Sequence, residues 1–531
     1  MNGGDADEIA DWLDAAQAHL TRYQQALAGT WSRSPFANLM QEERSELRGC
    51  YAAQPMAPFL LTACIPFCLL DLVPSQEPGA AASRPATQSR AISDAALRST
   101  IGKAVHWIGT QGLPVKGNAD AWLFPATAES PKDPEPQIYG GTAGVLLFLE
   151  NAAALLPDPR ADAMATRVMR GLLATRTKTP DGQLTWMSQG MAEGATSLYV
   201  GDAGIGQAFL TRARLRNDKE ALAIAVELGD SILARGKRDK DMLSWDHQVE
   251  IIYGASGTIL FLLDLGAVTG EARFVAGAKA AAHWLVAQAK ASTGKAADGS
   301  EVPLLSWRWA LAGNAPYVNF SHGTAGVAYA LARVGAVTKD DVCMSAALRG
   351  TAWLDQQALN LGDGVAWPVV SGKKTILGGW CHGAPGTGRL YLLLHEITGD
   401  SKHLATAIAS ARWVMAQAPA STVSNPAFPP SFCCGVAGVV DFFCDLHRAT
   451  GDPEFATFAR RAAAYLVAAA QVDGDGVKWT QGATAHGATG SQHALDLMLG
   501  APGEALALLR VLTLDTRPDP VCHLPDRRVT K

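Results

Sequence analysis

Seven times along this chain the pattern Gly-x-x-Gly precedes an apolar stretch, and recurrence at that spacing commits the chain to a repeat architecture. The copies are Gly141–Gly144, Gly201–Gly204, Gly254–Gly257, Gly323–Gly326, Gly383–Gly386, Gly435–Gly438 and Gly487–Gly490. Each unit reads as a polar-faced outer helix, a loop and a more apolar inner helix. The outer helices are expected over 94–110, 161–176, 217–235, 271–290, 339–359, 401–417 and 453–471. Six loops hold a tryptophan (Trp122, Trp186, Trp245, Trp307, Trp367, Trp479), and the remaining one has Phe428. Inner segments such as 145–149, 259–263 and 390–394 are apolar on nearly every side, so they belong in a core. Seven such helices can be buried by stacking side by side, and closing the ring removes the ends an open array must cap. The expected fold is all-α: an α/α toroid of seven helix pairs, with Gly-x-x-Gly opening each inner helix. The glycines read as scaffold, permitting a turn and close backbone approach. None has the Gly-Lys-Ser/Thr ending of a phosphate loop.

The repeat body is expected over 94–510. Residues 1–93 form an N-terminal helical segment, amphipathic over 8–29, with a Pro/Ala/Ser-rich linker over 75–91, and residues 511–531 form a tail. Hydrophobic residues make up 48% of the chain, enough for a large core, and a net charge of −5 without a long basic run argues against nucleic acid. The start lacks a basic and apolar leader, so a cytoplasmic protein is expected. The longest apolar run, 59–73, is too short to span a bilayer and contains Pro66 and Asp71, which argues against stable membrane insertion. Nine cysteines are scattered rather than framed for disulfides.

Alignment on the first glycine exposes a layer at the mouth of the ring. One residue before it stand Gly140, Val200, Tyr253, His322, His382, Cys434 and His486; two before it stand Ser321, Cys381, Cys433 and Ala485 in the last four units. Equivalent positions of a closed ring face one cavity, so Cys381, Cys433 and Cys434 should converge. They sit at helix N-termini, whose positive dipole ends favour thiolates. Soft thiolates favour zinc, and three protein ligands leave a fourth tetrahedral position open. Two other arrangements remain: His382 closing a Cys₃His structural site, or buried thiols without metal.

The stretches 379–386, Gly-Trp-Cys-His-Gly-Ala-Pro-Gly, and 432–438, Phe-Cys-Cys-Gly-Val-Ala-Gly, resemble the two zinc motifs of the lanthionine synthetase C-like (LanC) family. The stretch 321–326, Ser-His-Gly-Thr-Ala-Gly, resembles its active-site histidine motif. The resemblance covers roughly 94–510 and implies an α/α toroid with Zn²⁺ at its mouth. It also implies a cyclase that adds peptide cysteine thiols to dehydroalanine or dehydrobutyrine, forming lanthionine or methyllanthionine thioether rings. Carried over, Cys381, Cys433 and Cys434 would be the metal ligands; most members have Cys-His-Gly where this chain has Cys433-Cys434-Gly435, and three-cysteine members exist. His322 would be the general acid. Glu250 matches an acidic position that is usually aspartate, with Asp246 and His247 near enough to compete. An arginine often found before the first zinc cysteine is Leu377 here, with Lys373 and Lys374 nearby. His382 stands where tyrosine is common, and both it and His486 read as supporting residues.

The reading that follows is a stand-alone zinc-dependent cyclase in lanthipeptide biosynthesis acting on a dehydrated precursor peptide, with a separate dehydratase as partner. One alternative is addition of glutathione or another small thiol to dehydroamino acids; another is a non-catalytic peptide-binding toroid. A glycan-processing toroid would need paired carboxylates, whereas the repeat mouths offer Cys and His. The N-terminal 93 residues fit leader recognition, dehydratase docking or covering of the ring.

Overall fold

A computed structural model of the chain describes residues 92–521 apart from 131–133, 187–194, 246–247, 296–298, 310–314, 418–428 and 481–491. The expected N-terminal helix and linker, Phe428, Asp246, His247, His486 and the Gly487–Gly490 motif lie outside the described residues. Fourteen helices alternate along the rest. The outer set is α1 (Asp94–Thr110), α3 (Pro159–Ala174), α5 (Lys219–Arg235), α7 (Ala272–Ala287), α9 (Asp341–Gln357), α11 (Ser401–Gln417) and α13 (Pro453–Ala469). The inner set is α2 (Thr142–Leu155), α4 (Asp202–Arg216), α6 (Ala255–Thr269), α8 (Thr324–Thr338), α10 (Ala384–Thr398), α12 (Val436–Thr450) and α14 (Ala501–Leu512). The expected outer helices agree with these to within three residues.

Partnering runs the other way from the sequence unit. Each inner helix from α2 to α12 packs as a hairpin on the outer helix that follows it, and the leftover α1 packs on α14. The connection lengths explain this. Five of the inner helices end on a left-handed residue (Asn217, Gly270, Lys339, Gly399, Gly451), and an acidic residue then opens the next helix. Asp218, Asp340 and Asp452 accept from the next helix's first-turn N–H groups, a cap worth about 1 kcal/mol each. Such tight turns force antiparallel neighbours. The outer-to-inner connections are much longer and, among the described residues, hold six antiparallel two-stranded hairpins, from Leu113–Val115 with Asn118–Leu123 to Gln471–Asp473 with Gly476–Lys478, which the all-α reading did not anticipate.

Loop tryptophans fasten these connections. Five indole N–H groups donate to a carbonyl in the last turn of the preceding outer helix: Trp186 to Leu172 (2.8 Å), Trp245 to Ile232 (2.7 Å), Trp307 to Leu285 (2.7 Å), Trp367 to Leu354 (3.0 Å) and Trp479 to Leu466 (2.7 Å). Carbonyls at a helix end lack intrahelical partners, so the tryptophan supplies a donor while burying its ring. Trp122 instead bonds Ala119 in its own hairpin.

The ring closes. Each inner helix packs on the next, and α14 packs on α2. At the mouth a circuit of backbone hydrogen bonds passes once around: Tyr139 N–H to Tyr199 O, Tyr199 to Ile252, Ile251 to Ser321, Ser321 to Cys381, Cys381 to Cys433, Cys433 to Met498 and Met498 to Tyr139 O, at 2.8–3.4 Å. That circuit corrects the seventh motif. The inner helix α14 starts after Gly500, so the seventh Gly-x-x-Gly is Gly500–Gly503, and its mouth residues are Met498 and Leu499 in place of Ala485 and His486.

The glycines are held by space. Each first glycine is extended, with φ from −154 to −115, which any residue adopts, but a Cβ there would strike loop backbone. Each second glycine faces the side chain three before the first glycine of the preceding repeat: Leu497, Ile138, Leu198, Ile251, Phe320, Trp380 and Phe432, 2.7–3.3 Å from where a Cβ would lie. These seven apolar side chains floor the mouth. Deeper along the inner helices, buried ion pairs join neighbours: Arg212 to Glu150 (2.7 Å), Arg333 to Asp264 (3.1 Å), and Asp441 between Arg389 and Arg510. Pairs of this kind fix register more than they add stability.

Candidate metal centre

Cys381 ends the loop into α10, and Cys433 and Cys434 end the loop into α12. The bond from Cys381 N–H to Cys433 O (3.0 Å) holds the two loops in register. The three sulfurs lie within 4.8 Å of one another, and Cys381 Sγ is 3.5 Å from Cys434 Sγ. Zn–S bonds of about 2.3 Å in a tetrahedron separate sulfurs by about 3.8 Å, so the donor set fits Zn²⁺ without rearranging the loops. Gly379 is part of the fit: a Cβ there would come within 2.6 Å of the Cys434 backbone. Below, Trp380 is fully buried against Tyr199 and Phe320.

Tyr139, which follows Met498 in the circuit, donates its hydroxyl to Cys433 Sγ at 3.1 Å. Burial opposes a thiolate at Cys433, but donors from Cys381, Cys434 and Tyr139 outweigh it and hold that thiol well below the usual range. The hydrogen bond to Cys433, with burial, holds Cys381 well above the usual range against an opposing bond to Cys434, and the bonds to Cys381 and Cys433, with burial, do the same for Cys434. A divalent ion held by the three sulfurs would favour all three thiolates.

Beside the sulfurs, His322 Nδ1 is 2.8 Å from Glu250 Oε2. Glu250 is fully buried, and its carboxylate also accepts from the N–H groups of Ile252 (2.8 Å) and Tyr253 (2.6 Å). Trp309 stacks on the His322 imidazole, centroids 4.1 Å apart and planes at 11°, and Tyr253 is parallel at 5.8 Å. His382, next to Cys381, lies 5.5 Å from His322 and 5.5 Å from Tyr317, ring to ring. Burial, helped by His322, pushes its imidazole down to about 3, so it is neutral.

Residues 133–522 match the family model described as "Lanthionine synthetase C-like protein", nearly three-quarters of the chain. The chain belongs to this family. "Glutathione S-transferase LANCL1" of Danio rerio is 30% identical over 228 residues, which are 42% of this chain and 49% of that protein. The chain thus aligns with about half the length of that curated relative. Among solved structures, "Nisin cyclase" superposes with a TM-score of 0.51 at 15% identity, covering 73% of this chain and 90% of that one, a likeness of fold.

Within this LanC-like toroid, the expected site residues Cys381, Cys433, Cys434, His322 and Glu250 share the mouth. Lys373 and Lys374 are exposed on the loop before Leu377. Sequence reasoning missed Tyr139, although it stands two before the first glycine of the first repeat, as Cys381 and Cys433 do in theirs. It also missed Asp496, four before Gly500, the offset Glu250 has from Gly254; the misplaced seventh motif hid it. Asp496 is buried, accepts from Leu499 N–H at 2.6 Å, and burial raises its carboxyl to about 7. Trp309 follows a hairpin whose reach no sequence period reports. No described helix is long and apolar enough to cross a membrane.

Proposed function

We propose that this protein is a zinc-dependent enzyme that forms thioether bonds by adding thiols to dehydroalanine or dehydrobutyrine, acting as a lanthionine-type cyclase on a dehydrated precursor peptide made by a separate dehydratase. The observation that carries the reading is three sulfurs within 4.8 Å of one another on the same mouth as a histidine paired with a buried carboxylate. Zinc held by Cys381, Cys433 and Cys434 would supply a Lewis acid that binds the donor thiol and lowers its pKa.

The chain's own residues supply the rest. Tyr139 fixes Cys433 and takes up part of its charge. Glu250 accepts from His322 Nδ1, which sets the ring's orientation and leaves proton exchange to Nε2. Trp309 and Tyr253 hold that ring in plane. His322 is the general acid that protonates Cα after sulfur attacks Cβ.

A second reading is favoured by the name of the Danio rerio relative: the thiol donor is glutathione. One experiment tests both. The purified zinc-loaded protein is given a dehydroalanine peptide carrying an internal cysteine, and the same peptide with that cysteine blocked plus glutathione; products are weighed by mass spectrometry. Cyclisation of the first at least tenfold faster than glutathione addition to the second supports the cyclase. The reverse order supports the transferase, and no acceleration of either removes both.

A further inference from the structure

Thiol addition places negative charge on the carbonyl oxygen beside the attacked double bond, and in a water-excluded site that oxygen needs donors. His322 delivers a proton to carbon, so the oxygen must be served by other groups. Beside His322, two buried side chains carry nitrogens without a hydrogen-bond partner among the described residues: His382 Nδ1 and Trp309 Nε1. Each residue is only 6% exposed. Buried polar atoms are nearly always satisfied, so two orphans in one place need a cause.

Their placement supplies one. Trp309 lies on the face of His322 at 4.1 Å, and His382 lies 5.5 Å from the same ring. Tyr317 packs on both, at 5.6 Å from Trp309 and 5.5 Å from His382, centroid to centroid. Both rings that carry these nitrogens therefore lie against the His322 side of the mouth. Ser321 Oγ, also unpartnered, belongs to the thiol level of the ring, and the orphaned Glu504 Oε2 lies on the buried face of α14. His382 follows Cys381 directly, so of the two nitrogens it is the one tied to the sulfur side.

We propose that His382 and Trp309 are an electrophile-binding pair, with N–H groups that donate to backbone carbonyl oxygens of the dehydroalanine or dehydrobutyrine segment, His382 to the oxygen that becomes the enolate. The proposal rests on the thiol-addition reading above. A sulfur lone pair forms the S–Cβ bond, and the Cα=Cβ π pair shifts so that the carbonyl π pair moves onto oxygen. The S–H proton leaves to solvent as the thiolate forms, the carbonyl is restored as Cα takes the proton from His322, and a solvent proton recharges His322. The net change is addition of S–H across C=C; nothing is oxidised or reduced.

The test uses the full-length zinc-loaded protein and the dehydroalanine peptide, with kcat, both KM values and zinc content measured for each variant. His382→Phe should lower kcat roughly 10²- to 10³-fold, with thiol KM and zinc content unchanged. His382→Asn, which restores an N–H group, should recover at least tenfold of that loss. Trp309→Phe keeps the stack on His322 and should raise peptide KM about tenfold, so it tests the pair even where His382→Phe does not fold. Phe and Asn variants at 382 that behave alike, a His382→Phe kcat within threefold of wild type, a loss that tracks zinc, or an unchanged peptide KM in Trp309→Phe overturns the pair. A wild type that adds no thiol removes the thiol-addition reading and the pair with it; an active wild type with indifferent variants removes the pair alone.

Discussion

Among the described residues, two places gather three metal-ligating atoms within 4.8 Å: Cys381, Cys433 and Cys434 at the mouth, and His283, Asp340 and Cys343 between the outer helices α7 and α9. By donor count they are equal; by charge they are opposites. In the outer cluster the protein has already supplied the cations. Lys279 Nζ lies 2.9 Å from Asp340, and His283 sets one ring nitrogen on Asp340 (3.0 Å) and the other on Asp241 (2.6 Å). Asp340 also caps α9 through Cys343 N–H, while burial and the neighbouring carboxylate push the Cys343 thiol up to about 12. The mouth sulfurs instead hydrogen-bond to each other and to Tyr139. A metal site is marked by donors whose charge is left uncompensated, not by donors alone.

The contrast breaks first on metal content. Cys381→Ala should lose zinc and drop thiol addition by more than about 10³-fold, whereas Cys343→Ala should keep both, as read by elemental analysis and mass-spectrometric assay. Zinc lost from the Cys343 variant and kept in the Cys381 variant would reverse the comparison. A smaller effect sharpens the mouth itself. Tyr139→Phe removes the donor to Cys433, and a supporting hydrogen bond of that kind is worth about 10- to 100-fold in metal affinity, measured by chelator competition. An unchanged affinity would make Tyr139 a bystander.

The smallest effect belongs to the outer cluster. Burial opposes the His283 imidazolium, but the two carboxylates outweigh it and raise its pKa. A raised imidazole stabilises the fold fully below its ordinary value of 6.5, and that contribution fades as pH climbs through the raised value. Thermal melting of wild type should therefore fall over that window, and His283→Gln should lose that part of the slope. Equal slopes would show that the pairing adds no stability.

The legible part of this protein was its period. Glycine at two fixed offsets is forced by backbone contact in every repeat, so the register of six repeats, the helix boundaries and the level of Cys381, Cys433, Cys434 and His322 could be read along the chain. The seventh copy was misread because the chain offers two candidates, and only the circuit of mouth hydrogen bonds distinguishes Gly500 from Gly487. Hairpin pairing was written in the Gly-Asp and Asn-Asp turns, but a unit defined from one glycine to the next cuts across it. Glu250 could be reached by offset; that it is fully buried against His322 could not.

By itself the sequence determined which residues share a level of the ring, because equal offsets from a glycine that tolerates no Cβ map to equal heights. Closure decided which of them touch. Tyr139 and Cys433 are far apart in the chain and become neighbours when α14 packs on α2, and Trp309 reaches His322 by the bend of a loop. Distance around a circle is set by the packing of all seven helices at once, and no local pattern encodes it.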